Sequence, residues 1–329
     1  MGLIRKAARI LGWAVTVAGV VVLVLAALIA VPVTKPPALA SIANTAGAVD
    51  RSTMPALARF YARDGSELAY RRYPAQQGGV RPVAIVVHGS SGSSIAVHAL
   101  AQALAARGVE TFAPDIRGHG GSGTRGDIGY RGQLGDDFAD VVAMVKAARP
   151  GAPLVLIGHS SGGGFALRMA GSATGKEFSR TVLLAPFLGY SEPTNRAKGG
   201  GWASPDIPRI IGLSALRAIG VACCDQLPVI GFAVQPHSEK YVVATYSFRL
   251  LMDFAASRDF RTDLAAATSP VTVISGETDE LMVSDKYQAT MGDRVRVRIL
   301  PGINHMGIVG DPAAVSAIAD DVVSGGAGT

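Results

Sequence analysis

The 329 residues carry 40 Gly and 18 Pro spread between apolar runs, and only 17% are charged, which excludes a disordered polymer and leaves ample sequence for a large core. The net charge of +6 comes from scattered basic residues, with no basic block interleaved with aromatics, and this argues against nucleic acid as a partner. Two cysteines, adjacent at positions 223 and 224, make neither a disulfide framework nor a zinc ligand set.

Residues 10–33 hold no charge over 24 positions, more than the ~20 apolar residues a helix needs to cross a bilayer. Arg5, Lys6 and Arg9 precede the run and only Lys35 closely follows it. The positive-inside bias therefore predicts a single-pass anchor, residues 1–33, with a cytoplasmic N-terminus and the rest of the chain on the outer side. The alternative is a secreted protein cleaved near Ala40, because Ala38, Leu39 and Ala40 form a small-residue site. The apolar run exceeds the about 7–15 residues usual for a signal peptide's core, which favours a retained anchor. Residues 34–55, rich in Pro, Ala, Ser and Thr, read as a linker.

Residues 57–63 and 68–73 read as an antiparallel hairpin turning at Asp64 and Gly65. Residues 83–87 form a continuous apolar run, as expected of a parallel strand buried on both faces. From there strands at 110–113, 154–157, 181–184, 271–274 and 295–300 alternate with helices at 96–107, 134–148, 165–170 and 312–323. Such alternation implies βαβ units, and hence an α/β fold with a mostly parallel sheet. Residues 187–264 break the pattern with GGGW at 199–202 and two apolar stretches, 210–221 and 241–254, and are expected to form a mostly helical cap. The core is thus assigned to 56–186 and 265–329.

GHSSG at 158–162 fits GxSxG, the pattern of a sharp strand-to-helix turn that exposes a serine hydroxyl. Ser160 falls at the carboxyl end of a predicted parallel strand, where open α/β sheets place their chemistry. A serine hydroxyl is a weak nucleophile, so it needs a base, and the base needs a partner to orient it. His305, in PGINHMG, follows a late strand, and Asp279, in SGETDEL, follows the strand before that. Asp285 and Glu277 are the other acids nearby, and both read as surface residues. Backbone N–H groups of Ser161 and of Ser90, in HGSSG at 88–92, are the candidate donors to an oxyanion. His88 and His119 read as loop braces, whereas His98, His159 and His237 have no assigned role. The chain lacks HExxH, and RGHGGSG at 117–123 lacks the strand-to-helix setting of a dinucleotide loop, so neither metal nor cofactor is expected.

Together, His88 and Gly89, the DIRGHGGSG stretch from Asp115, the GHSSG elbow, GETD with Asp279, and His305 resemble the α/β-hydrolase superfamily, most closely its monoacylglycerol-lipase-like and lysophospholipase-like serine hydrolases. The resemblance spans residues 83–310. It implies an eight-stranded, mostly parallel sheet with helices on both faces and a lid between the sixth and seventh strands. It also implies a Ser160, Asp279, His305 triad with oxyanion donors at Ser90 and Ser161. Ser161 stands where this branch often has Met.

The expected activity is hydrolysis of carboxylic esters, with lipid-like or other apolar acyl groups, through an acyl-enzyme. The same triad would also suit an amide or peptide hydrolase or an acyltransferase. An aminopeptidase would want acids in the cap, where Glu192, Asp206, Asp225 and Glu239 stand. A reading of another class is a catalytically silent hydrolase fold that only binds. The oligomeric state is left open.

Overall fold

The computed structural model describes residues 2–76, 82–238 and 242–325, so Glu239 and the start of the 241–254 stretch lie outside the described residues. In chain order the elements are α1 (Gly2–Ala30), α2 (Ala40–Gly47), β1 (Ala58–Tyr61), β2 (Glu67–Tyr73), β3 (Val83–Val87), α3 (His98–Ala106), β4 (Glu110–Pro114) and α4 (Gln133–Ala148). Next come β5 (Leu154–His159), α5 (Ser161–Ala170), β6 (Phe178–Leu184), β7 (Ala203–Pro205), α6 (Ile207–Ala218), β8 (Pro228–Phe232), β9 (Thr245–Ser247) and α7 (Phe248–Asp253). The chain closes with α8 (Phe260–Ala266), β10 (Val271–Gly276), α9 (Tyr287–Met291), β11 (Val295–Leu300), α10 (Gly307–Gly310) and α11 (Pro312–Val323).

Eight strands form one sheet in the order β1-β2-β4-β3-β5-β6-β10-β11. The pairings from β4 through β11 are parallel, and the β1-β2 hairpin adds to one edge antiparallel. Every residue of β3, β4 and β5 is buried, because helices cover both faces. Side chains alternate between two cores. Ile85, Phe112 and Leu156 meet Phe138 of α4 and Phe165 of α5 on one face. On the other, Ala84, Val86 and Ile157 meet Leu104 of α3 and Ile318 of α11.

The insertion between β6 and β10 carries α6, α7 and α8, and also a feature the sequence reading lacked, a three-stranded antiparallel sheet β7-β8-β9. Two of its strands have three residues each, too short to show an alternating pattern. Asp253, at the end of α7, is buried and ties this insertion to the core. Its carboxylate accepts from Gly132 N at 3.0 Å and Leu134 N at 2.9 Å, capping α4, whose preceding glycine has no side chain to do so.

The N-terminal region differs from its reading as anchor plus free linker. Residues 4–30 form an apolar helix of mean hydropathy 2.7, exposed except toward its C-terminal end. Its last turn docks on α6, where Ile29 packs with Ile210, Leu213 and Leu216. A Cβ at Gly212 would stand 3.0 Å from Ile29 Cγ1, so glycine permits this approach. Arg209 donates to Ile29 O at 2.8 Å and to Val31 O, and so caps the carbonyl end of α1 with a positive charge. Residues 34–55 are no slack tether. They fold as α2, which buries Ile42 in the main core and donates Leu39 N to Ala233 O at 3.1 Å. Residues 39, 42, 43 and 46 share one face at helical spacing, a signal hidden by the Ala, Ser and Thr content.

Replacing Asp253 by Ala is expected to destabilise the protein by about 1–2 kcal/mol, the usual effect of deleting a helix cap. The check is the denaturant midpoint at unchanged slope, with Asp253→Asn, which keeps one acceptor oxygen, falling between wild type and Ala.

Candidate active site

Ser160 sits between β5 and α5 with φ 55° and ψ −122°, a left-handed conformation rare for a residue with a side chain. The strain persists because its neighbours leave no alternative. A Cβ at Gly158 would collide with Gly162 O and come within 2.7 Å of Ala166 Cβ, and one at Gly162 would collide with His88 O. Ser160 N donates to Leu184 O at 2.9 Å, and its carbonyl accepts from Gly163, Gly164 and Phe187 N–H groups. The elbow is thereby fastened to α5 and to the end of β6, and α5 directs its unpaired N–H groups toward the serine.

His305 lies in the loop after β11 and Asp279 in the loop after β10, both nearly fully buried. His305 Nδ1 and Asp279 Oδ2 are 2.8 Å apart. The other carboxylate oxygen accepts from Leu281 N at 2.8 Å and Met282 N at 2.7 Å. Burial opposes the charge on Asp279. The charge and hydrogen bond of His305, with those two amides, outweigh it and hold the carboxyl below its ordinary value. Glu280, which no sequence motif singles out, accepts from His305 N at 2.9 Å. Glu277 accepts from Gly302 N at 2.9 Å in the turn before His305, whereas Asp285 is exposed beside Lys286.

Ser160 and His305 line one cavity of about 620 Å³ together with Gly89 and Ser90. No hydrogen bond joins the serine to the imidazole. A Cβ on Gly89 would lie 3.1 Å from Ser160 Cβ, so the HGSSG backbone runs directly beside the serine. Ser90 borders the cavity, and its hydroxyl accepts from Trp202 Nε1 of the insertion at 2.9 Å. Ser161 opens α5, where backbone N–H groups lack helical partners, and its side chain is not among those lining the cavity.

A chain of buried groups braces this loop. His88 Nε2 accepts from Ile116 N at 3.2 Å, so its Nδ1–H donates to Gly89 O at 2.8 Å. His119 Nδ1 faces Ile116 O at 3.1 Å, and its Nε2 accepts from the Tyr246 hydroxyl at 2.5 Å. The Tyr246 oxygen in turn accepts from Ser91 N. Ser91 is held at φ 66° by further bonds to Val243. Tyr246 and Trp202 belong to the insertion, and only the tertiary fold reveals their roles. His159, unassigned from sequence, packs its ring 4.8 Å from that of His305 and bonds the latter's carbonyl at 3.1 Å. Among the described residues no group of three or more His, Cys, Asp and Glu could hold a metal ion.

Burial, followed by the nearby His305, pushes His159 down to about 3. Burial likewise lowers His88, and burial with the adjacent His88 holds His119 well below the ordinary histidine range. All three are neutral as folded, whereas the unfolded chain takes up their protons near pH 6.5. Below that point the unfolded state binds more protons, so stability is full above about pH 6.5 and falls as pH drops further. The denaturant midpoint near pH 5 is therefore expected to lie below that near pH 8. An equal or higher midpoint at the lower pH would contradict the neutral network.

The chain matches the family described as Hydrolase_4, serine aminopeptidase S33, over residues 78–312. It is 27% identical to a monoacylglycerol lipase of Mycolicibacterium smegmatis over 257 residues, 74% of this chain and 87% of that protein. The fold is similar to that of a soluble variant of Saccharomyces cerevisiae monoglyceride lipase, with a TM-score of 0.63, 19% identity and coverage of 84% of this chain and 96% of that one. It is also similar to the monoacylglycerol lipase of Paleococcus ferrophilus, with a TM-score of 0.56, 17% identity and coverage of 78% and 98%. With most of its length matched, the chain belongs to the Hydrolase_4 family and is a serine hydrolase of the α/β-hydrolase superfamily, in its monoacylglycerol-lipase-like branch.

Proposed function

We propose that the chain cleaves carboxylic esters of apolar acyl groups through an acyl-enzyme on Ser160. The Ser160 oxygen attacks the ester carbonyl while His305 Nε2 takes its proton, and Asp279 orients the ring through Nδ1–H and stabilises its charged form. The Ser90 and Ser161 N–H groups receive the developing oxyanion. His305 then returns the proton to the leaving alcohol, and a water releases the acyl group by the reverse path. The supporting observation is the buried 2.8 Å His305–Asp279 contact, with His305 lining the same cavity as a serine on a strained elbow.

The cavity's chemistry favours esters over peptides with a free amine. Among its described lining residues none is acidic, so nothing there would hold a substrate ammonium group. Trp202, Val234, Val242 and Leu281 make much of the lining apolar. The relative from M. smegmatis carries the name of a monoacylglycerol lipase, in keeping with this reading.

The proposal extends to topology, with α1 retained as a membrane anchor, the N-terminus cytoplasmic and residues 56–329 on the outer side as hydrolase core and cap. Three features support it. The flanking charges favour this orientation. Cleavage after Ala40 would remove the carbonyl partners of Arg209 and the Leu39–Ala233 bond. Ile207, Ile211 and Ile219 are exposed on or just after α6, so the apolar surface of α1 continues onto the insertion.

A fluorophosphonate probe is expected to label wild type, and Ser160→Ala is expected to abolish labelling and lower ester turnover by about 10⁴-fold or more. Labelling that persists in Ser160→Ala would refute the mechanism. Intact mass measurement on membrane-extracted protein is expected to find residues 1–40 still attached. A mass corresponding to a chain starting at Ser41 would refute the anchor.

A further inference from the structure

Resting on the triad reading, and going beyond it, we infer that α2 and the turn after it form the wall that selects the substrate's acyl chain. This stretch directly follows the apolar helix α1, yet it enters the catalytic cavity. Ile42, Ala43, Ala46, Gly47 and Met54 line the same space as Ser160 and His305, and Ile42 is otherwise buried in the core. The face they present bears methyl groups and a bare backbone. Such a face favours an alkyl chain by excluding water from it, and offers nothing to a polar leaving group.

The wall is fixed at both ends. At its start, Leu39 N donates to Ala233 O of the insertion. In its middle, Thr45 Oγ1 accepts from Asn304 Nδ2 at 2.9 Å, and Asn304 directly precedes His305. At its end, the Arg51 guanidinium donates to Ala46 O at 2.5 Å and Val49 O at 3.2 Å, placing positive charge at the negative end of the helix. Val49 packs so close to α10 that a Cβ at Gly310 would stand 3.0 Å from its Cγ2. Arg51 also borders the cavity, but it directs two donors into the helix itself, so that the α2 residues facing the cavity, Ala43, Ala46 and Gly47, present only apolar groups and backbone.

Small residues at 43, 46 and 47 set the width of the space, so enlarging them shortens the acyl chain that fits. The test uses full-length protein in detergent and p-nitrophenyl esters, which share a leaving group and differ only in acyl length. Ala46→Trp, and the milder Ala43→Leu in case the larger residue unfolds α2, are expected to lower the laurate-to-acetate ratio of kcat/KM by about tenfold or more. Acetate turnover and fluorophosphonate labelling should stay near wild type. Asn44→Trp, on the exposed side of the same helix, should leave the ratio unchanged.

An unchanged ratio in both cavity-facing variants, with labelling intact, would overturn the wall and leave the triad standing. Equal loss on acetate and laurate would also overturn it, because α2 would then be supporting the serine rather than selecting the chain. Absence of labelling in wild type would instead bring down the triad reading on which the wall rests.

Discussion

The geometry depends first on the turn at Ser160. A residue with a side chain held at φ 55° carries a strain of about 1–3 kcal/mol, and it persists only where the surroundings over-determine it. Here the ends of three adjacent parallel strands do so. From β3, His88 O presses against Gly162; from β5 comes the serine itself; from β6, Leu184 O and Phe187 N grip its backbone. A Cβ at Gly162 would collide with His88 O and one at Gly158 with Gly162 O, so both glycines are required by contact with backbone. The elbow works as a keystone: the loop after β3 reaches the serine only because the turn is this tight.

A second regularity concerns the histidines. His88, His119 and His159 are buried without a carboxylate partner, and burial keeps them neutral. A neutral imidazole offers one donor and one acceptor in fixed directions; His88 and His119 use theirs to link Gly89 and Ile116 through Tyr246 to Ser91, and His159 bonds the His305 carbonyl. His305 is the described histidine with a carboxylate hydrogen-bonded to its ring. That difference in surroundings, rather than residue type, separates a brace from a candidate base.

What the sequence disclosed follows the same physical logic. Continuous apolar runs marked the buried strands because helices cover both sheet faces, and the β1-β2 hairpin showed in its Asp64-Gly65 turn. Ser160, Asp279 and His305 could be named because each stands in a loop just after such a run. The α2 segment reads as a linker in sequence because its apolar face spans only two turns and its partners, Ala233 and Asn304, lie far away in the chain. The three-residue strands of the insertion, and the roles of Glu280, Trp202 and Tyr246, are likewise set by groups distant in the chain, which no local pattern records.

Those distant contacts couple three parts that the sequence presents as separate. The carbonyl end of α1 is capped by Arg209 of α6, and α6 connects, in the chain, two paired strands of the small sheet in the insertion. The same insertion holds Ser90 through Trp202 and Ser91 through Tyr246, while α2 spans from Ala233 to the residue beside His305. A displacement of the insertion away from the core would therefore pull on the HGSSG loop, on α2 and on the end of α1 together. The insertion is thus attached to the HGSSG loop, to the start of α2 and to the N-terminal helix as well as through the chain at residues 187 and 264. Access to Ser160 then depends on the shape of the cavity walls, most of which come from segments outside the strands that position the serine, the acid and the base.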